Sequence, residues 1–125
     1  MTASPTAGTP VTLERARASL AVLRPRIERF VRQRADLAEL RADLAAGSAS
    51  PLGGLAELKA LEAHLHAELE GFAAAGAQVK SAAPLLLDWP GERDGTPVLW
   101  CWLEGEPDVA WYHRLDCGFP GRRPA

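Results

Sequence analysis

Six polar side chains in the last third of the chain have residue types and spacing that could do chemistry. His113 and Asp116 lie three residues apart, where a predicted strand gives way to a loop. An imidazole and a carboxylate at that spacing can converge as metal ligands, as a base with its orienting group, or as one hydrogen-bonded pair. His113 and Asp116 are therefore the catalytic candidates. The ligand-binding candidates are Asp88, Arg93, Glu106, His113, Asp116 and Arg122.

A purely structural interpretation of the same residues stays open. Asp116 can cap a turn, and His113 can bond a backbone carbonyl. The sequence has no zinc-type ligand spacing, and the separation of Cys101 and Cys117 matches no ligand motif. His64 and Glu68 stand four apart on a predicted helix and could share a metal, but a solvated helix face explains them as well. The sequence therefore assigns no metal site, a metal-dependent use of His113 and Asp116 stays open, and the cofactor is unknown.

The two cysteines are predicted to be unreactive free thiols. Cys101 lies in the middle of a predicted strand, on the face opposite its two neighbouring Trp side chains, which indicates a buried structural thiol. Cys117 follows Asp116, whose negative charge opposes formation of a thiolate. Neither cysteine has a neighbour that would favour the thiolate.

Aromatic and basic residues in the same region have two interpretations each. Trp100, Trp102 and Trp111 are predicted to be core, and a platform for ligand stacking is the alternative. Arg122 and Arg123, which follow Gly118 and Gly121, could bind an anion or pair with surface acids. Arg93 and Arg114 are too few basic residues for an RNA-binding sheet, so a nucleic acid partner is not expected.

Length and composition predict an ordinary globular protein. The chain has 125 residues, of which 47% are hydrophobic and 24% charged, and its net charge is −2. That length predicts one domain, and the weak charge gives no sign of nonspecific nucleic acid or membrane binding. No run of about 18 apolar residues and no signal peptide is found, so a cytoplasmic protein is expected. The Ala-, Leu-, Arg-, Pro- and Gly-rich composition is typical of a GC-rich bacterial genome.

The first two thirds of the chain predict a helical hairpin over residues 12–76. Apolar residues recur every three or four positions from Leu13 to Leu44, with Thr12 as N-cap. The same spacing continues across Pro25, which favours a kinked helix over two separate ones. Gly47 should end this helix, Ser50-Pro51 should start the next, and Gly76 should end it. Residues 1–10 are predicted to be a flexible N-terminal arm.

The remainder predicts a small antiparallel sheet and an irregular loop over residues 84–125. Strands are expected at Leu85–Asp88, Val98–Leu103 and Val109–His113, with turns at Asp94-Gly95 and at residues 105–108. The fold class is therefore α+β: a long antiparallel helical hairpin packed on a three-stranded antiparallel sheet, forming one domain over residues 11–125. Open sheet edges and apolar helix surface make a homodimer an expected partner state.

The C-terminal residues resemble a known bacterial family. Its pattern is close to Val-Asp-Phe-Pro, Asp-Gly, Val-Leu-Cys-Trp, Gly-Glu-Pro, Trp-His and Leu-Asp-x-Gly-Phe-x-Gly-Arg-x-Pro. The corresponding positions here are 87–90, 94–95, 98–102, 105–107, 112–113 and 115–124. The chain thus resembles the family catalogued as domain of unknown function 2203, over residues 11–124, with Trp89 and Tyr112 as aromatic replacements. The resemblance supports the domain boundaries and implies no reaction.

Two classes of function remain open from the sequence. The first is a small binding module that holds a small-molecule or anionic ligand, or a partner, on the C-terminal sheet and loop. The second is a small acid/base or metal-dependent hydrolase that uses His113 and Asp116. The first is preferred because the sequence shows no nucleophile, phosphate loop or complete metal set. Whether the protein is an enzyme stays undecided at this point.

Overall fold

The computed structural model describes residues 8–125, so most of the predicted N-terminal arm lies outside the described residues. Its helices are α1 (Leu13–Ala45) and α2 (Leu55–Ala74). Its strands are β1 (Gln78–Ala82), β2 (Leu85–Arg93), β3 (Thr96–Leu103), β4 (Trp111–Arg114) and β5 (Arg123–Pro124). A single 3-10 turn (Phe119–Gly121) precedes β5. The α+β class is confirmed, and within the described part of the chain no helix is long and apolar enough to cross a membrane.

The chain divides into two compact units, one of residues Leu23–Gly71 and one of the residues on either side. In the first unit, α1 continues through Pro25 as one helix, as the spacing predicted. Arg26 pairs with Glu68 at 3.0 Å and Arg41 pairs with Glu62 at 2.7 Å, so the two helices run antiparallel. Buried residues of this unit include Leu23, Ile27, Phe30, Leu37, Leu40 and Leu65.

The helix ends follow local chemistry, with one departure from expectation. The Thr12 hydroxyl accepts a hydrogen bond from the Arg15 amide at 3.1 Å, which confirms the predicted N-cap. The prediction that α2 begins at Ser50-Pro51 was wrong. Ser50 instead accepts hydrogen bonds from the Leu52 and Gly53 amides in a separate turn that precedes the helix. The helix begins at Leu55, and the Glu57 carboxylate accepts from the Gly54 amide at 2.7 Å.

The second unit contains a five-stranded antiparallel sheet in the order β1-β2-β3-β4-β5, so the prediction of three strands was wrong. The additional strands are its two edges. The strand β1 reads Gln-Val-Lys-Ser-Ala, which is too polar and short to stand out as a strand. The strand β5 is only Arg123 and Pro124, within the tail that was expected to be irregular. Edge strands are commonly short and carry Lys or Pro, so these sequences suit their positions.

One face of the sheet, called the helix face here, packs on the first turns of α1. The indole N–H of Trp89 donates to the Ser19 hydroxyl at 3.1 Å, and that of Trp100 donates to the Val11 carbonyl at 2.8 Å. The helix contributes Ala16 and Leu20, which are both fully buried. The residues that alternation and register place on this face are Leu85, Leu87, Trp89, Gly91, Val98, Trp100 and Trp102.

The opposite face, called the tail face, looks toward the C-terminal segment. Alternation and register place on it Leu86, Asp88, Leu99, Cys101, Trp111 and His113. Of the three Trp residues predicted to be core, Trp111 is only half-buried and lies on the tail face, away from Trp100 and Trp102, because the register pairs Trp100 with Tyr112. The tail face therefore holds the polar residues that the helix face lacks.

Candidate functional site

Three polar side chains meet on the tail face because the strand register brings them together. Asp88 of β2 pairs directly with Cys101 of β3, so their side chains project from the same face. His113 of β4 pairs with Leu99, two residues before Cys101, and therefore shares that face too. All three residues are buried. Their ligand atoms, one from each side chain, lie within 4.8 Å of one another.

The hydrogen bonds of His113 define its orientation. Its Nδ1 atom lies 2.8 Å from the Arg114 carbonyl oxygen, which can only accept, so Nδ1 carries a proton. Its Nε2 atom lies 3.1 Å from Oδ2 of Asp88. The imidazole and the carboxylate therefore hold one further proton between them, on one atom or the other.

Asp88 has unused capacity to accept. Oδ1 of Asp88 is buried and has no hydrogen-bond partner among residues 8–125. A buried polar atom without a partner costs about 1–3 kcal/mol, and such atoms are scarce in folded proteins. The cluster thus holds a buried carboxylate oxygen without a hydrogen bond, beside the Cys101 thiol that interacts with the same carboxylate.

Cys101 is confirmed as buried and is a free thiol, as the sequence predicted. Burial, followed by the negative charge of Asp88, raises the pKa of the Cys101 thiol to about 12. The group is therefore a neutral thiol at neutral pH when it has only these protein neighbours.

A cavity of about 220 Å³ opens beside the cluster and is called the tail-face cavity here. Asp88 and His113 form its polar wall, and apolar side chains from the sheet and the tail form most of the remainder. Lys80 is an exposed residue that also lines it. The full lining is Lys80, Leu86, Asp88, Leu99, His113, Leu115, Gly118 and Phe119.

Arg122 and Glu106 are brought together, but they are committed to each other. Arg122 Nη2 donates to both carboxylate oxygens of Glu106, at 2.7 and 2.9 Å. The guanidinium also lies over the rings of Trp111 and Phe119, 5.0 and 4.8 Å from their centroids. Glu106 accepts from the Leu103 amide at 2.7 Å. This pair fastens the tail over the sheet, a structural role that the sequence had not separated from ligand binding.

Asp116 is not brought to His113. Its carboxylate accepts two hydrogen bonds from Arg114, at 3.0 and 2.7 Å, and both residues are exposed. The Arg114 guanidinium lowers the pKa of Asp116 to about 2. The pairing of His113 with Asp116 that the sequence suggested is thus replaced by the pairing of His113 with Asp88.

Arg93 lies apart from the cluster, on the other face of the sheet. Its guanidinium stacks on Tyr112, 4.6 Å from the ring centroid. It lines a cavity of about 210 Å³ that Arg114 and Arg123 share. Arg93 therefore does not contribute to the site around His113.

Two larger cavities lie away from the Asp88–His113 pair. One of about 410 Å³ is lined by Ser19 and Trp89, whose polar atoms already bond each other. Another of that size, in the helical unit, is lined by Asp36, Glu57 and His64, and by Gln33, whose Oε1 is also buried without a hydrogen-bond partner among residues 8–125. The predicted partner of His64 is in use, because Glu68 pairs with Arg26 at 3.0 Å and lies 3.9 Å from Arg29.

The sequence interpretation missed Cys101 as a member of the site and missed the pairing of Asp88 with His113. The sequence did contain one signal that Cys101 belongs to the site. Counting outward from the Asp94-Gly95 turn as a two-residue hairpin loop places Asp88 opposite Cys101.

The fold and the site define a small α+β protein with a five-stranded antiparallel sheet and a buried Asp-Cys-His cluster. The family model described as "Uncharacterized conserved protein (DUF2203)" matches residues 11–125, so the chain belongs to that family. In comparisons with known proteins, no curated protein and no solved structure matches the chain.

Proposed function

We propose that this protein is a small cytoplasmic ligand-binding module whose site is the tail-face cavity. The observation that carries the proposal is the buried Oδ1 atom of Asp88, which has no partner among residues 8–125, beside His113 at the cavity wall. Binding sites combine apolar walls with a few placed polar groups, and the tail-face cavity has that composition. A ligand that donates to Asp88 would satisfy the oxygen that folding leaves unpaired.

The lining limits the chemistry of the ligand. A volume of about 220 Å³ suits a small molecule or ion rather than a peptide. The carboxylate selects a cation or a hydrogen-bond donor, whereas Leu99, Leu115 and Phe119 favour an apolar body. The anionic ligand expected from Arg93 and Arg122 has less support, because Arg93 lies on the other face and Arg122 is paired with Glu106.

A hydrolase remains the alternative class, with a changed pair of residues. Asp116 is paired with Arg114 in solvent, so an acid/base pair at this site would consist of His113 and Asp88. Binding is preferred because a buried hydrogen-bonded pair alone supplies no nucleophile.

The test uses two probes of similar size and opposite charge, benzamidine and benzoate, added to isotopically labelled full-length protein that is kept metal-free with a chelator. Benzamidine should shift the backbone NMR signals of Leu99, His113, Leu115 and Phe119, and benzoate should shift them less. Asp88→Asn should abolish the benzamidine response, whereas Asp116→Asn, which removes an exposed carboxylate outside the cavity, should leave it intact. Equal responses to both probes, or a response that Asp88→Asn leaves unchanged, would reject the proposed site.

The homodimer expected from the sequence stays a prediction. Val22 of α1 and Leu55 of α2 are exposed apolar residues that an interface could cover. Light scattering at high micromolar concentration should give the mass of a dimer, and a monomer mass would contradict it.

A further inference from the structure

We infer that the tail-face site binds a divalent transition metal ion of the zinc type, held by Asp88, Cys101 and His113. This inference rests on the proposed function, since it names the ligand class of the same site. The three residues supply one carboxylate oxygen, one sulfur and one imidazole nitrogen from three neighbouring strands. A transition metal is the ligand class that uses all three atoms at once.

The spacing of the donor atoms fits one metal ion. Zinc bonds to nitrogen and oxygen are about 2.0–2.2 Å long, which puts two such ligands on a tetrahedron about 3.3–3.5 Å apart. Nε2 of His113 and Oδ2 of Asp88 are already 3.1 Å apart, and all three ligand atoms lie within 4.8 Å. Small side-chain rotations therefore suffice, and the strand register holds the backbone positions.

The surroundings of His113 are those of a metal ligand. Metal-binding imidazoles usually donate their other ring N–H to a carbonyl or carboxylate, which fixes the tautomer. Nδ1 of His113 donates to the Arg114 carbonyl at 2.8 Å, so the lone pair of a neutral ring lies on Nε2, facing Asp88. The hydrogen bond thus orients the ring for coordination.

A metal ion also resolves the cluster's two unfavourable features. It gives the buried Asp88 carboxylate a positive partner, where Oδ1 has none among residues 8–125. It also gives Cys101 a role as a thiolate; on binding, the Cys101 proton and the proton shared by His113 and Asp88 would both pass to solvent. The two negative charges of Asp88 and Cys101 then balance a divalent ion.

The donor set selects the metal. Magnesium and calcium prefer oxygen ligands throughout, whereas a mixed sulfur, nitrogen and oxygen set favours zinc and its chemical relatives. Three protein ligands leave a fourth position for water or a small molecule, which is the pattern of catalytic rather than structural zinc sites. The tail-face cavity is lined by two of the three ligands, so it supplies the approach to that position.

The experiment titrates cobalt(II) into full-length protein that has been stripped with a chelator under reducing conditions. Cobalt bound to a thiolate gives a sulfur-to-metal charge-transfer band, and tetrahedral cobalt gives intense visible bands. We expect one equivalent to bind and one equivalent of zinc to displace it, with magnesium having no effect. Cys101→Ser should remove the charge-transfer band, and His113→Gln should weaken binding at least 100-fold. The matched control, Cys117→Ser, should bind as the native chain does.

The outcomes separate the inference from the function on which it rests. No cobalt band in the native chain, or a band lost in Cys117→Ser and kept in Cys101→Ser, would overturn the metal site. If metal fails and benzamidine still binds through Asp88, the binding module stands without the metal; if both fail, both proposals fall. Should Cys101→Ser not fold, the melting temperature of the native chain decides: zinc must raise it and magnesium must not.

Discussion

Nε2 of His113 and Oδ2 of Asp88 lie 3.1 Å apart on the tail face, and the carbonyl of Arg114 fixes Nε2 as the ring nitrogen that faces the carboxylate. That carbonyl accepts a hydrogen bond from the Nδ1–H of the imidazole. The pair is therefore either an imidazolium with a carboxylate or a neutral imidazole with a carboxylic acid. In both forms each residue depends on the other, because the side chains are only 5% and 1% exposed.

Breaking this pair in the metal-free protein should be costly. Asp88→Ala leaves the imidazole without its buried partner, and losses of about 3–5 kcal/mol are typical for such pairs. Asp88→Asn should lose less, about 1–2 kcal/mol, because its amide can still donate to Nε2. Urea denaturation with chelator present measures both. Asp116→Ala, at an exposed carboxylate, should stay within about 0.5 kcal/mol. Similar losses for Asp88→Ala and Asp116→Ala would contradict the assignment.

The exposed pair of Arg114 and Asp116 should lower the pKa of the Asp116 carboxyl and leave the free energy of unfolding at neutral pH almost unchanged. The carboxyl of Asp116 should titrate with a pKa of about 2, chiefly because Arg114 donates to it. Arg114→Gln should bring that pKa back up toward the ordinary value of an aspartate. Any stabilisation from the lowered pKa is present above the ordinary value and is lost as the pH falls toward 2. Carboxyl-detected NMR measures the titration.

Since both side chains are exposed, the urea midpoint of Arg114→Gln at neutral pH should match that of the native protein. A carboxyl that still titrates near the native pKa in the variant would show that other contacts of Asp116 hold it ionised.

The two cysteines should differ sharply in reactivity. Cys117 was predicted to be unreactive because it follows Asp116, but it is exposed and therefore accessible to a reagent, whereas Cys101 is fully buried. With chelator present, a maleimide should therefore label Cys117 within the ordinary time for a free thiol and reach Cys101 only after local or global unfolding. Mass spectrometry of the digested protein locates the label. In the Cys117→Ser variant the labelling rate of Cys101 can be measured by itself. Equal rates for the two thiols would reject the buried position of Cys101.

The helices were predictable because their apolar residues repeat every three or four positions over long stretches. The strands β2 and β3 were predictable because the Asp94-Gly95 turn lies between two apolar runs. Even there, the length of β2 was underestimated, since Glu92 and Arg93 are polar and exposed. The strands β1 and β5 carry no comparable signal, so the sheet was assigned too few strands.

The candidate site was only partly predictable for the same reason. A two-residue turn fixes register, so the meeting of Asp88 and Cys101 follows from the sequence once that turn is counted. The connection between β3 and β4 spans residues 104–110 and sets no register by itself. The position of His113 opposite Leu99 therefore depends on packing of the whole sheet. Proximity in sequence favoured Asp116 as the partner of His113. In the structure the exposed Asp116 carboxylate accepts its hydrogen bonds from Arg114 instead.

The helix face allows a further prediction, at Gly91. A methyl group at this position would collide with the indole of Trp100, around Nε1. Gly91→Ala should force the indole to move and should break its 2.8 Å hydrogen bond to the Val11 carbonyl. Overpacking of a core costs about 1–3 kcal/mol, and the lost hydrogen bond adds about 1 kcal/mol. We therefore expect a loss of about 2–4 kcal/mol in the free energy of unfolding, measured in urea.

The control for this prediction is a double-mutant cycle with Trp100→Phe. Phenylalanine is smaller and has no indole N–H, so Trp100→Phe removes both the collision and the hydrogen bond at their source. In that background Gly91→Ala should lower the free energy of unfolding by less than half as much as it does in the native chain. Such a difference would mean that the two positions are coupled. Additive losses would show that Gly91 is required by the backbone of β2 and not by Trp100. Coupled losses would confirm that a glycine stands here because the indole crosses the strand.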